Sequence, residues 1–85
     1  MAQILIYTIP GCPYCKAAKE LLKEKKQNYL EINRDENEKI RQEMIKKSNG
    51  RTTVPQIFIN GKHIGGCDDL YDLEEQGKLD LLLKE

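Results

Sequence analysis

Cys12-Pro13-Tyr14-Cys15 constrains this chain more than any other stretch. Two thiols at that spacing can close into a disulfide and open again, and so short a loop removes too little chain entropy for the bond to act as a structural staple. Ile4-Leu5-Ile6-Tyr7 is a short apolar run suited to a buried strand, and between Lys16 and Lys26 the residues Ala17, Ala18, Leu21 and Leu22 recur at helical spacing. The pair therefore sits on a strand-to-helix turn. With Pro13 as the first helical residue, Cys12 occupies the N-cap and Cys15 the first turn. Cys12 then meets orphan backbone N–H groups and the positive end of the helix, which favour a thiolate, so it is the expected nucleophile. Cys15, one turn later on the same face and more covered by the helix, is the expected resolving thiol. Two ordinary buried cysteines fit less well beside a strand-helix-strand pattern.

With 85 residues, the chain is expected to form a single domain over 1–85 with a modest core. Fourteen basic and fourteen acidic residues cancel, so nothing attracts nucleic acid generally. No stretch is long and apolar enough to span a membrane, and no export signal opens the chain, so a cytoplasmic location is expected. Three cysteines cannot all pair with one another, which favours a working pair over a disulfide framework. No broad apolar patch is evident, and a monomer is expected.

The rest of the chain reads in alternation. Residues 28–32 carry Tyr29, Leu30 and Ile32 as a second strand. Residues 35–47 are rich in helix formers with a narrow stripe of Ile40, Met44 and Ile45, stopped by Ser48-Asn49-Gly50. Ile57-Phe58-Ile59 is a strand, Asn60-Gly61 a two-residue hairpin turn, and Lys62-His63-Ile64 the return strand. A helix follows over 68–76, ended by Gly77, and Leu79 to Leu83 forms a last apolar segment.

The order β-α-β-α-β-β-α, with Cys-X-X-Cys opening the first helix, resembles the glutaredoxins, specifically the dithiol bacterial type. Three motifs carry the resemblance over nearly the whole length: Cys12-Pro13-Tyr14-Cys15, Thr53-Val54-Pro55 and Gly65-Gly66-Cys67-Asp68-Asp69. It implies an α/β thioredoxin-like fold, a four-stranded mixed sheet with helices on both faces. It also implies a glutathione-dependent thiol-disulfide oxidoreductase acting on disulfide-containing or glutathionylated proteins. Glutathione is then the reducing co-substrate, with no tightly bound cofactor and no metal.

From the residues alone Pro55 reads as trans, because cis X-Pro bonds are a small minority. The resemblance implies a cis-Pro turn facing the thiols, with Val54 N–H and C=O free to pair with an extended peptide such as glutathione. In the third motif, helix capping by itself accounts for the two aspartates. The resemblance implies more: Gly66 lets the ligand approach, N–H groups near Cys67 and Asp68 receive its carboxylate, and Asp69 supplies charge for its amine. Tyr14 and Thr53 line the same groove.

One departure stands out. Many relatives carry a lysine three positions before the first cysteine, where this chain has Ile9. Arg41 and Gln42, or Arg51, are the candidate substitutes for holding the glycine end of glutathione. Three rival functions remain. Cys12, Cys15, His63 and Cys67 have the donor types of a zinc site, although the chain already supplies a core and His63 reads as a surface hairpin residue. A carrier reduced by thioredoxin reductase would suit Ile9 but has no use for the aspartates. Iron-sulfur carriage belongs chiefly to relatives with a single active-site cysteine.

Overall fold

The computed structural model describes residues 2–84. The elements run β1 (Ile4–Thr8), α1 (Pro13–Glu24), β2 (Leu30–Asn33), α2 (Glu38–Lys47), β3 (Gln56–Ile59), β4 (Lys62–Gly65), α3 (Cys67–Glu75) and α4 (Leu79–Leu83). The sheet order is β2-β1-β3-β4, with β1 parallel to β2 and antiparallel to β3, and β4 antiparallel to β3. This is the four-stranded mixed sheet of a thioredoxin-like fold, and α4 is one helix more than the expected order.

Period-two alternation along β1 divides the core. Ile4 and Ile6 join Ala18, Leu21, Leu22, Ile57, Ile59, Leu70, Leu79 and Leu83, beneath α1, α3 and α4. Tyr7 points to the other face, where Phe58 and Met44 pack with it under α2, the Tyr7 and Phe58 rings meeting edge to face at 5.9 Å. Met44 is the buried residue of α2, as its narrow stripe requires.

Two elements start later than the sequence predicts. β2 begins at Leu30 and runs to Asn33, with Leu30 and Glu31 exposed on an edge strand. α2 begins at Glu38 because Asn37 Oδ1 accepts the Ile40 N–H at 2.9 Å, and in the preceding turn Asn33 Oδ1 accepts the Asp35 N–H at 2.8 Å. Short polar side chains thus compete with the helix for those donors. The last segment is helical, burying Leu79 and Leu83, while Lys25 reaches Glu74 at 2.7 Å and Asp80 at 3.0 Å. The β3–β4 hairpin turns at Asn60 (φ 53) and Gly61 (φ 80), both left-handed as a type I′ turn requires.

Candidate active site

The β1–α1 turn sets the thiols. Cys12 is the N-cap in extended conformation, Pro13 follows at the first helical position, and Cys12 Sγ accepts the Cys15 N–H at 3.2 Å. No acidic residue stands in the first turn, so the positive helix end is left for the sulfur. Cys12 is half-buried, Cys15 only 2% exposed, and both are free thiols. Burial, with the Cys12 sulfur beside it, pushes the Cys15 thiol up to about 12.

A second wall comes from the loop before β3. The Val54–Pro55 peptide is cis, as the family resemblance implies and the residues alone did not. Neither Val54 N–H nor its C=O has a backbone partner among the described residues. Thr53 is held from behind: Gln56, fully buried, donates from Nε2 to Thr53 O at 3.0 Å and Thr53 Oγ1 at 3.3 Å. Its Oε1 faces His63 Nε2 at 2.8 Å, so that ring nitrogen carries the hydrogen. His63 also lies against Phe58, ring centroids 5.1 Å apart, and burial, then the Arg51 charge, push its imidazole down. His63 is therefore half-buried and not a surface hairpin residue, because the β3–β4 register sets it directly opposite Phe58. Sequence reading missed this Gln56–His63 pair: the Asn60-Gly61 turn sets His63 opposite Phe58, but the register shifts between Phe58 and Ile57, before Gln56 is reached.

The start of α3 forms the third wall. Gly66 is its N-cap, and Asp69 Oδ2 accepts the Gly66 N–H at 2.8 Å and an Arg51 Nη1 hydrogen at 3.1 Å. The Gly66 hydrogen bond, with Arg51 adding, holds the Asp69 carboxyl below its ordinary range. A side chain at Gly65 (φ +121) would run into that carboxylate. Burial raises the Cys67 thiol, and the Asp68 charge adds to the effect. Tyr71 Oη donates to Ala17 O at 3.1 Å, tying α3 to α1.

Residues from these three segments line a groove of about 240 Å³, while Cys12 and Cys15 line another cavity of about 710 Å³. Tyr14 lines the groove from α1, Thr53, Val54 and Pro55 from the cis-Pro loop, and Gly66, Cys67, Asp68 and Asp69 from α3, with Arg51 between the last two walls. Arg41 and Gln42 do not line it; on α2, Gln42 Nε2 donates to Glu38 Oε1 at 2.8 Å. A larger cavity of about 830 Å³, around Ala2, Leu5, Leu30 and Phe58, holds no thiol. Among the described residues no three His, Cys, Asp or Glu side chains gather as a metal site.

The family model described as Glutaredoxin matches residues 4–64, more than half of the chain. The chain belongs to the glutaredoxin family. It is 58% identical over 84 residues to glutaredoxin 3 of Escherichia coli (strain K12), covering 99% of this chain and 100% of that protein. It is 54% identical to glutaredoxin 1 of Rickettsia prowazekii (strain Madrid E), covering 95% and 86%. The solution structure of glutaredoxin from Brucella melitensis superposes with a TM-score of 0.86 at 54% identity, covering 99% and 90% of the two chains. A crystal structure of the buckwheat glutaredoxin-glutathione complex superposes with a TM-score of 0.86 at 32% identity, covering 95% and 76%. As a glutaredoxin, the protein is a glutathione-dependent thiol-disulfide oxidoreductase with glutathione as its reducing co-substrate. No helix among the described residues is long and apolar enough to cross a membrane.

Proposed function

We propose that residues 1–85 work as one monomeric domain in which Cys12 is the nucleophile and Cys15 the resolving thiol. The carrying observation is the asymmetry of the pair: Cys12 is half-buried at a helix N-cap and accepts a backbone N–H, whereas Cys15 is 2% exposed. In the dithiol route, the Cys12 thiolate attacks a substrate disulfide, and Cys15 displaces the reduced substrate from the mixed disulfide. Two glutathiones then restore both thiols. In the monothiol route, Cys12 attacks the glutathionyl sulfur of a mixed disulfide, releases the protein thiol, and is freed by a second glutathione. Cys15 is not used there.

Glutathione lies in the groove beside Tyr14 and Thr53, its cysteine pairing with Val54 next to Pro55. Support comes from the unpartnered backbone groups of Val54. Its γ-glutamyl end meets the Gly66, Cys67 and Asp68 backbone, with Asp69 facing the amine. Because Asp69 Oδ2 is already shared by Gly66 and Arg51, the amine uses the other oxygen and Arg51 lies beside the ligand's carboxylate. Arg41 and Gln42 lie outside the groove lining, so the glycine end, where Ile9 offers no charge, is not held by them. Substrates are disulfide-containing and glutathionylated proteins, and the location is cytoplasmic.

The test is turnover of a small glutathione mixed disulfide, with electrons from glutathione and its reductase in one cell and from thioredoxin reductase in another. Turnover with glutathione is expected. Turnover with thioredoxin reductase alone would show that this groove does not bind glutathione.

A further inference from the structure

Cys12 and Cys15 line a cavity of about 710 Å³ together with Lys16, Lys19, Glu31 and Thr8. Lys19 stands four residues after Cys15, one helical turn along the same face of α1. Its Nζ is 3.0 Å from Glu31 Oε2, and the same oxygen accepts the Thr8 hydroxyl at 2.7 Å. Thr8 is 3% exposed, so the far end of this chain of contacts is anchored in the sheet. Cys12, Cys15, Lys16, Lys19 and Glu31 are the ionisable groups around the cavity.

We propose that Lys19, held by a Glu31 that Thr8 anchors, is a positioning residue for the dithiol route, its ammonium compensating the charge that arrives on Cys15 when the Cys12–Cys15 disulfide is opened. The inference rests on Cys15 being the resolving thiol. A glutathione thiolate attacks Cys12 Sγ, the half of the disulfide within reach. The Cys12–Cys15 S–S bond breaks, a glutathionyl–Cys12 S–S bond forms, and the electron pair leaves on Cys15. A second glutathione thiolate frees Cys12 as glutathione disulfide, and Cys15 takes a proton from solvent. The leaving sulfur is thus a thiolate in a buried place, where charge is costly. In the reverse sense Cys15 must shed its proton to attack. Lys19 acts against the burial that raises the Cys15 thiol, and the Glu31 hydrogen bond keeps Lys19 itself protonated.

Because Cys15 is a neutral thiol in the finished dithiol, the Lys19 charge speeds opening and closing alike without moving the equilibrium. Lys19→Gln should slow reduction of the intramolecular disulfide by glutathione about threefold to tenfold, the scale of losing one charge from the same cavity at intermediate dielectric. The equilibrium ratio against glutathione should stay within about twofold, and Lys19→Arg should restore the rate. In a Cys15→Ser background, Lys19→Gln should leave turnover of a glutathione mixed disulfide unchanged. An unchanged rate of disulfide opening in Lys19→Gln, or an equal slowing in the Cys15→Ser background, overturns the proposal. If Lys19→Gln melts early, Lys19→Met removes the same charge while keeping the apolar stem. If Cys15→Ser itself leaves protein disulfide reduction intact, the resolving role fails instead of this inference.

Discussion

The backbone N–H of Cys15 donates to Cys12 Sγ at 3.2 Å, so the proposed resolving residue also supports the sulfur of the proposed nucleophile. This contact uses the main chain and survives replacement of the Cys15 side chain. Cys15→Ser should therefore keep most turnover of glutathione mixed disulfides while losing reduction of protein disulfides that need the second thiol. Cys12→Ser should lose both by at least about a hundredfold, the scale of removing a nucleophile outright. Parallel coupled assays on the two variants check this.

The reduced protein should weaken in alkali. Burial raises the Cys15 thiol to about 12 from an ordinary value of 9.0, so the folded state holds its proton where the unfolded chain has released it. A raised acid contributes stability that is complete below the unfolded value and is lost as pH climbs past it toward the folded one. Between pH 8 and 10 the reduced protein should lose on the order of 1 kcal/mol from this group, and Cys15→Ser should flatten that slope. Denaturant titrations at the two pH values measure it.

Asp69 serves the fold before it meets any ligand. Its carboxyl is held below the usual range, chiefly by the Gly66 N–H, so its contribution is present above the unfolded value of 3.8 and fades as pH falls through the folded one. Asp69→Ala should lower stability by about 1 kcal/mol through the lost cap. In a domain this small that corresponds to roughly 4–8 °C in melting temperature. The Arg51 pair adds little, since both side chains are 45% exposed. Gly65→Ala, which forces the same carboxylate aside at φ +121, should destabilise at least as much, and thermal melts of both variants test the pair.

How much of this was legible in the residues depends on how local the signal is. Pro13 beside Cys12 fixes a helix start by itself, and the structure places the N-cap there. Asn60-Gly61 likewise fixes its hairpin. The groove walls at Thr53-Val54-Pro55 and Gly66 to Asp69 were readable as motifs, but what unites them was not. Gln56 and Arg51 do that through contacts between distant segments, one to the half-buried His63 and one to Asp69. A buried glutamine paired across the hairpin leaves no periodic trace in a strand reading Gln56-Ile57-Phe58-Ile59. Arg41 and Gln42 illustrate the converse: exposed helix residues have the right chemistry, but only packing decides which cavity they border.

Gln56 should matter to glutathione without touching it. Gln56→Leu removes the two hydrogen bonds to Thr53 and leaves His63 Nε2 without its acceptor, which should cost about 1–3 kcal/mol of stability. It should also raise KM for a glutathione mixed disulfide more than it lowers kcat, because Thr53 and Val54 are loosened while both thiols stay in place. Steady-state kinetics below the melting temperature separate the two effects.

The most direct measurement is peptide-resolved mass spectrometry of Cys15→Ser quenched with acid after mixing with glutathione disulfide. Cys12 should carry one glutathionyl group, with Cys67 unmodified, since Cys67 is 8% exposed and burial raises its thiol. A glutathionyl group on Cys67 with Cys12 unmodified would contradict the assignment of Cys12 as the nucleophile.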